Sequence, residues 1–400
     1  MDRQHHAVIV DALRTPVGKY GGALKDVRVD DLSALILRTL VERSKLDPAL
    51  IEDVFWGCAN QAGEDNRNLA RMALLLAGFP LSVPGTTINR LCGSSLEAII
   101  QGARAIWSGE NEVLVAGGAE SMTRAPYAFS KNVSGGALYG NLTAYDTSLG
   151  WRFPNPKMAK LIPLESMGET AENVAEKYSV KRNDQDEFAL NSHQKAIAAR
   201  SRLAEEIVIV EVPMKNGSIK ISVDEGPRED TSIDKLSKLK PAFRENGSVT
   251  AGNSSSLNDG AAGLIMMSEE KAKALGLKPL AKIISSGVAG VDPRYMGIGP
   301  VPATQMALQK ANLKTGDIGL IELNEAFAAQ SLAVIRELKL DEKLVNVNGG
   351  AIALGHPLGC SGARIMTTLV HEMHRRDVRY GLATMCIGVG QGIAVVVEKG

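Results

Sequence analysis

Aromatic side chains are scarce, at 4% of 400 residues, and neither sign of charge prevails: 45 Lys and Arg face 45 Asp and Glu, for a formal net charge of zero. A chain with no long run of one sign lacks the basic face that nucleic acid needs. No window approaches eighteen uninterrupted apolar residues, so neither a spanning helix nor a membrane partner is expected. Cysteine is sparse too. Cys58, Cys92, Cys360 and Cys386 form no C-x-x-C pair, and no histidine stands at finger spacing, so no metal site is expected. Four such thiols suit a reducing compartment better than a disulfide framework. The opening MDRQHHAVIVDALRTP runs straight into strand-like AVIV. It has neither the apolar core of a signal peptide nor the Arg/Ser-rich lead of a transit peptide, and a cytoplasmic protein is expected.

Glycine, by contrast, is plentiful, with 40 residues in a chain that is 44% hydrophobic and 22% charged. This is a globular composition, rich in tight turns and long enough for two or three cores. From residue 7 to 118 strand and helix patterns alternate. AVIV (7–10), DVFWG (53–57), TTIN and EVLVAGG (112–118) read as strands. DDLSALILRTLVERS (30–44), capped by Asp30 or Asp31, and NLARMALLLAG (68–78), closed by Gly78, read as helices. Continuous apolar strands in such alternation predict a mainly parallel sheet covered on both faces. From 119 to 248 the pattern loosens into an insert, with loop signals at GGALYG, GWRF and NPK and two helices over 170–178 and 184–201. Strand chemistry then returns in TAGNSSSLNDGAAGLIMMSEE (250–270).

The last third repeats the first. AKIISSGVAG (281–290) parallels AVIVDALRTP, and residues 302–324 parallel the helix and strand that end at Cys58. KLVNVNGG, GHPLGC and the helix at 363–373 parallel TTIN, Cys92 and its helix; GLATMC (381–386) parallels VLVAGG. The near-constant offset predicts two similar halves, one comprising 1–118 and 249–272 and the other 273–400, with 119–248 inserted. Helix N-termini from both halves can then face one site.

Four short segments sit at strand ends amid Gly, Pro or Asn, where α/β sites form. In NRLCGSS (89–95), Cys92 precedes a helix marked by Leu96, Ile99, Ile100, Ala103 and Trp107. The unpaired N–H groups and positive dipole end of a helix favour a thiolate, so its pKa is expected to fall, and Gly93 admits close approach of other backbone. Cys92 is then a nucleophile, or else a small hydrophobe packed under a helix. His356, boxed by Gly355 and Pro357, suits a general base more than a core histidine. Cys386 opens CIGVGQG and is a proton donor and acceptor or a packing residue. Asn324, after GLIEL, is a helix N-cap or the holder of a water or oxyanion.

These four segments in this order resemble the thiolase family, acyl-CoA acetyltransferases that act on 3-oxoacyl-CoA. The likeness runs from DALRTPVGKYGG through MGETAENVAEKY, TAGNSSSLNDGAA and GGAIALGHPLGCSGAR to CIGVGQG. It implies an α/β fold of two βαβαβαββ halves in five layers (αβαβα) with an inserted loop domain. It implies Cys92 as the acylated nucleophile and His356 as its base. Cys386 is implied as the acid/base serving the acetyl-CoA carbanion and the incoming thiol, and Asn324 as holder of a water in one oxyanion hole. The backbone N–H groups of Cys92 and Gly388 make the other. Ser255 is implied to touch the pantetheine arm, and Arg228 to sit near the CoA nucleotide, where Arg228, Lys235, Lys238, Lys240 and Arg244 crowd one polar stretch. CoA and acyl-CoA enter as substrates, with no metal or redox cofactor, and a homodimer or homotetramer is implied.

Three positions depart from the family pattern. Ser95 and Val389 stand where glycine is usual, which predicts side chains added near the site and an altered acyl-chain preference. Ser166 replaces a histidine frequent in biosynthetic acetoacetyl-CoA members, which favours degradative 3-oxoacyl substrates such as those of fatty-acid β-oxidation. GWRFPNPKM and MGIGPVPAT look like members that cleave 3-oxoadipyl-CoA. The rival readings are a biosynthetic acetoacetyl-CoA thiolase, a decarboxylating ketoacyl synthase, which lacks a cysteine at the position of Cys386, and a silent acyl-CoA binding protein, which the intact set of four residues disfavours. Cys58 and Cys360 read as packing.

Overall fold

The computed structural model describes residues 5–61, 63–131, 141 and 143–400; GGALYG lies outside them. The first half runs β1 (Ala7–Arg14), α1 (Val29–Ser44), β2 (Asp53–Gly57), α2 (Leu69–Leu76), β3 (Thr86–Ile88), α3 (Ser94–Ser108) and β4 (Val113–Ser121). The intervening segment carries α4 (Met167–Lys177) and α5 (Arg182–Ala198), and β5 (Asn258–Ser268) completes the half. The second half runs β6 (Ala281–Gly290), α6 (Pro300–Ala311), β7 (Leu320–Leu323), α7 (Ala328–Leu338), α8 (Leu358–Arg376), β8 (Tyr380–Ile387) and β9 (Gln391–Lys399). The halves repeat, with one lapse. KLVNVNGG makes only an isolated bridge, Val345 to Ile321, where TTIN makes β3.

The strands form one hydrogen-bonded sheet in the order β7–β8–β9–β6–β1–β5–β4–β2–β3, with the short strand Gly18–Lys19 against β5. The halves join where Val8 and Ile9 of β1 pair with Lys282 and Ala281 of β6. The sheet is mixed rather than mainly parallel. β2–β3, β2–β4 and β7–β8 are parallel, but the pairs involving β1, β5, β6 and β9 are antiparallel. Continuous apolar strands report burial on both faces; they do not report direction.

Burial arranges the layers. Leu96, Ile99 and Ile100 of α3 and Ile365, Met366 and Leu369 of α8 share one core with Leu114, Met266, Met385 and Val395 from strands of both halves. Outside the first half's strands, α1 and α2 bury Leu32, Ile36 and Leu74 over Trp56. Outside the second half's, Ala303 of α6 and Val334 and Ile335 of α7 do the same. Helices thus pack against the strands in three cores, with α3 and α8 shared by both halves, and each buried Leu or Ile contributes about 1.5–3 kcal/mol. At the centre α3 and α8 meet closely. A β-carbon built on Gly362 would lie 2.4 Å from Leu96 N.

Local signals explain the ends of most helices. Asn68 caps α2 by accepting from Arg71 N–H, and Gly78 follows it at φ +83. The cap expected at Asp30 or Asp31 is not used. Arg28 holds that position without a side-chain bond, and Asp30 instead takes the Arg28 guanidinium at 2.8 Å. Ser166 caps α4 through Glu169 N–H, so it has a local structural task. The insert folds onto the second half, with Val174 and Val180 packed on Leu332 and Ala333 of α7.

Candidate active site

Cys92 occupies the turn between β3 and α3. Leu91 before it holds φ +48, a left-handed conformation that reverses the chain. Gly93 N–H donates to Arg90 O at 3.0 Å and Ser94 N–H to Leu91 O at 3.1 Å. Ser94 Oγ donates to Leu91 O at 2.6 Å and accepts from Arg90 N–H at 3.0 Å. Arg90 bonds Glu97 at 3.0 Å and Gln391 of β9 at 2.9 Å, which fastens this turn to the other half. The close approach expected at Gly93 comes from a side chain of β8 rather than from backbone: a β-carbon there would lie 2.6 Å from Ile387 Cδ1.

The Cys92 thiol does not follow the expectation of a lowered pKa. Burial pushes it up to about 11, against the opposing pull of N–H groups from Gly388 and from Cys92 itself. The reason lies in the turn. α3 begins two residues later, and the N–H groups of Gly93 and Ser94 are already taken by Arg90 and Leu91. A dipole effect confined to the first turn is too weak there to offset desolvation. Cys92 is half-buried, so it keeps an open face for a reagent.

His356 lies buried between a short helix, Ala351–Leu354, and α8. Its backbone N–H donates to Asn258 Oδ1 at 3.0 Å, and Asn258 Nδ2 donates to Gly18 O at 2.9 Å. Ser361 Oγ gives its proton to Pro357 O at 2.8 Å and stands 2.6 Å from His356 Nδ1. With that proton committed, Nδ1–H donates to Ser361 and the lone pair is left on Nε2. Burial, helped by the charge of Arg364, lowers the imidazole pKa to about 4, so the ring rests neutral.

Asn324 follows β7, and its N–H donates to Thr384 O of β8 at 3.0 Å. It is not an N-cap: α7 starts at Ala328 behind Phe327. Its Nδ2 stands 3.4 and 3.5 Å from the two ring nitrogens of His356, too long for strong bonds. Its Oδ1 is buried without a hydrogen-bonding partner among the described residues. Cys386 is buried in β8, packed with Ala171 and Met167 of α4, Met296 and Phe327. Its thiol is raised by burial and by the nearness of Cys92. The structure therefore brings Cys92, Cys386 and Gly388 together, and His356 with Asn324.

Three supporting residues escaped the sequence reading. Asn258 and Ser361 orient His356. Glu120, at the end of β4, accepts N–H groups from Ala59 at 2.9 Å, Asn60 at 3.1 Å and Gly359 at 2.8 Å, and so links both halves beside Cys58. Burial raises its carboxyl to about 7 despite those three bonds. An acidic residue closing the all-apolar run VLVAGGA was the available signal. Cys58 and Cys360 sit in the hydrophobic cores, as expected.

A cleft of about 380 Å³ opens beside the His356 turn, lined among others by Lys19, Arg228, Lys235, Ser254, Ser256 and Ala353. Arg228 is thus in the cleft, but its expected cationic neighbours are divided. Lys235 lines it while bonded to Asp230, whereas Arg244 bonds Glu169. Ser255 is not among the lining residues. Its N–H donates to Ala326 O at 2.9 Å, and its two neighbours face the cleft. His193, also lining it, is pushed down to about 4 by burial and by Arg228 and Lys19.

The two departures at glycine positions have structural settings of their own. Ser95 is fully buried and accepts from Ala363 N–H of α8 at 2.9 Å, so it fastens the central helices. Val389 is exposed at the tip of the β8–β9 hairpin with φ +62. A β-branched residue is strained there. Val389→Gly is expected to stabilise the protein by about 1 kcal/mol, read as a higher urea midpoint with an unchanged slope.

Two repeated α/β halves that bring two thiols together, with a neutral buried imidazole on the second half, form a site suited to acyl transfer. The family model described as "Thiolase, N-terminal domain" matches residues 7–270, and that described as "Thiolase, C-terminal domain" matches 277–399. The 3-oxoadipyl-CoA/3-oxo-5,6-dehydrosuberyl-CoA thiolase of Escherichia coli is 56% identical over 98% of this chain and 99% of its own length. A beta-ketoadipyl-CoA thiolase of Acinetobacter baylyi is 51% identical over 98% and 99%. The crystal structure of the Bacillus anthracis acetyl-CoA acetyltransferase superposes with a TM-score of 0.93 at 45% identity, covering 100% of both chains. The chain belongs to the thiolase family, whose members transfer acyl groups between 3-oxoacyl-CoA and CoA.

Proposed function

We propose that this enzyme is a degradative thiolase acting on a dicarboxylic substrate, 3-oxoadipyl-CoA. Cys92 is its nucleophile, and the cleft lined by Arg228, with Ser255 between two lining serines, is its CoA path. The observation that carries the site assignment is the convergence on one sulfur: Gly388 N–H donates to Cys92, and Cys386 titrates under its influence. The substrate reading is supported by the names of the two curated relatives and by GWRFPNPKM in this chain. A cytoplasmic homodimer or homotetramer is the assembly we infer from the family likeness.

In the first half-reaction His356 Nε2 takes the Cys92 proton and the sulfur attacks the 3-keto carbon. The oxyanion on that carbon is held by the N–H groups of Cys92 and Gly388, while His356 and a water on Asn324 hold the thioester oxygen of the departing acetyl-CoA enolate. The C2–C3 bond breaks, Cys386 protonates the departing acetyl-CoA carbanion, and the acyl group stays on Cys92. In the second, Cys386 takes the proton of an incoming CoA thiol, which attacks the acyl-cysteine. The N–H groups of Cys92 and Gly388 then stabilise the oxyanion, and the Cys92 sulfur leaves, recovering its proton from His356. Covalent capture divides carbon–carbon cleavage into two easier steps, and fixed N–H donors cost no reorganisation.

The test is CoA-dependent cleavage across a panel of 3-oxoacyl-CoA esters. A kcat/KM for 3-oxoadipyl-CoA at least about tenfold above that for acetoacetyl-CoA is expected, a gap well within what a site built for one polar group achieves. A preference for acetoacetyl-CoA would return the enzyme to the biosynthetic reading. Absence of cleavage on every ester would leave an acyl-CoA binding protein.

A further inference from the structure

We propose that Arg152 is the residue that recognises the terminal carboxylate of the acyl chain, and so sets the enzyme's preference for dicarboxylic 3-oxoacyl-CoA. The inference rests on the substrate reading above and names the group that would carry it out.

Arg152 lies in the segment GWRF, and its guanidinium meets only neutral acceptors among the described residues. Nη1 donates to Asn60 Oδ1 at 3.3 Å and to Thr147 O at 3.2 Å. Arg90, Arg244 and Arg294 already have carboxylates, Glu97, Glu169 and Glu165 respectively, and Arg228 lies in the cleft assigned to CoA. A half-buried guanidinium on two long, neutral bonds retains most of its capacity for a bidentate carboxylate.

Its position is equally specific. Asn60 follows Ala59, whose carbonyl accepts from Asn89 Nδ2 at 2.9 Å, at the start of the Cys92 turn. Asn60 N–H is held by Glu120, a carboxyl close enough to Cys92 to influence its thiol. On the other side Trp151 Nε1–H donates to Glu165 O at 3.0 Å, two residues before Met167, which packs with Cys386. Arg152 is therefore bracketed by segments that lead to both sulfurs. The four-carbon succinyl group that 3-oxoadipyl-CoA leaves on Cys92 ends in a carboxylate only a few bonds from the sulfur, and Arg152 offers it a cation without a competing anion.

The experiment compares wild-type enzyme with Arg152→Gln and Arg152→Lys on 3-oxoadipyl-CoA and on 3-oxohexanoyl-CoA, a neutral ester of equal length. Arg152→Gln is expected to lose roughly 10–100-fold in kcat/KM on the charged ester, the range of a bond to a charged group. It should stay within about twofold of wild type on the neutral one. Arg152→Lys, a point charge without the fork, should recover part of the loss. Equal losses on both esters would make the residue structural, and no loss on either would leave it a bystander; both overturn the proposal. A wild type indifferent to the terminal carboxylate would sink the substrate reading itself, a different result from one that discriminates without Arg152.

Discussion

Cys92→Ala is expected to abolish acyl-enzyme formation and to lower thiolysis by at least about 10⁴-fold, the scale on which removal of a covalent nucleophile acts. Intact-mass measurement after mixing with acyl-CoA should find the acyl adduct on the wild type and none on the variant. CoA affinity should hold within about twofold, because the cleft lined by Arg228 and Lys235 does not include Cys92. Folding should hardly change, since one sulfur is lost from a half-buried position. The pH dependence is part of the same expectation. With the thiol at about 11 and the imidazole at about 4, the resting pair is neutral over the physiological range. Iodoacetamide alkylation of Cys92 should therefore climb steadily between about pH 7 and 9, roughly tenfold per unit. A plateau through neutrality would mean a standing thiolate–imidazolium pair and a different resting state. Any acyl adduct on Cys92→Ala would remove Cys92 from the mechanism.

The neutral pair bears on how the nucleophile is activated. A thiol lowered by its helix would attack without help. A thiol raised by burial needs a base at the moment of reaction, and only a histidine with a free Nε2 supplies one. Ser361 secures that tautomer by accepting from Nδ1, and Asn258 holds the backbone of the turn. These supports matter to the chemistry although neither residue need touch substrate.

The features legible in the sequence are those set by local rules. Turn residues and apolar stripes mark the strands and helices of both halves, and the repeat sets Cys92, His356 and Cys386 in turns or at strand ends of the two halves. Features that depend on distant partners were not legible. His356 is held by Asn258, 98 positions away, and Glu120 meets Gly359 across 239. Ser95 sits in the Cys92 segment yet bonds Ala363, because the helical face carrying it turns toward α8. Strand direction is hidden for the same reason, since the antiparallel returns of β5 and β9 follow from pairing rather than from composition. The raised Cys92 thiol is not legible either, because it reflects burial under distant elements and a turn that uses the Gly93 and Ser94 donors itself.

Cys386→Ala separates the two half-reactions. The residue is enclosed on β8, its thiol raised by burial and by Cys92, so at neutral pH it holds a proton ready to give. Losing a positioned acid/base of this kind is expected to reduce turnover by roughly 10²–10⁴-fold. Cys92 and its N–H donors remain in the variant, so alkylation of Cys92 by iodoacetamide should proceed at the wild-type rate within about threefold. The small cavity left beside Met167 and Phe327 should cost on the order of 1 kcal/mol, too little to unfold the chain and readable in a urea titration. A serine at this position would nearly restore the volume but would hold its proton far more tightly than a thiol in the same surroundings, so Cys386→Ser should remain slow. Its failure would then separate lost proton transfer from lost packing. Normal thiolysis by either variant would mean that a group other than Cys386 protonates the carbanion, and His356, the nearest alternative on β7's side of the site, would have to serve both ends of the reaction.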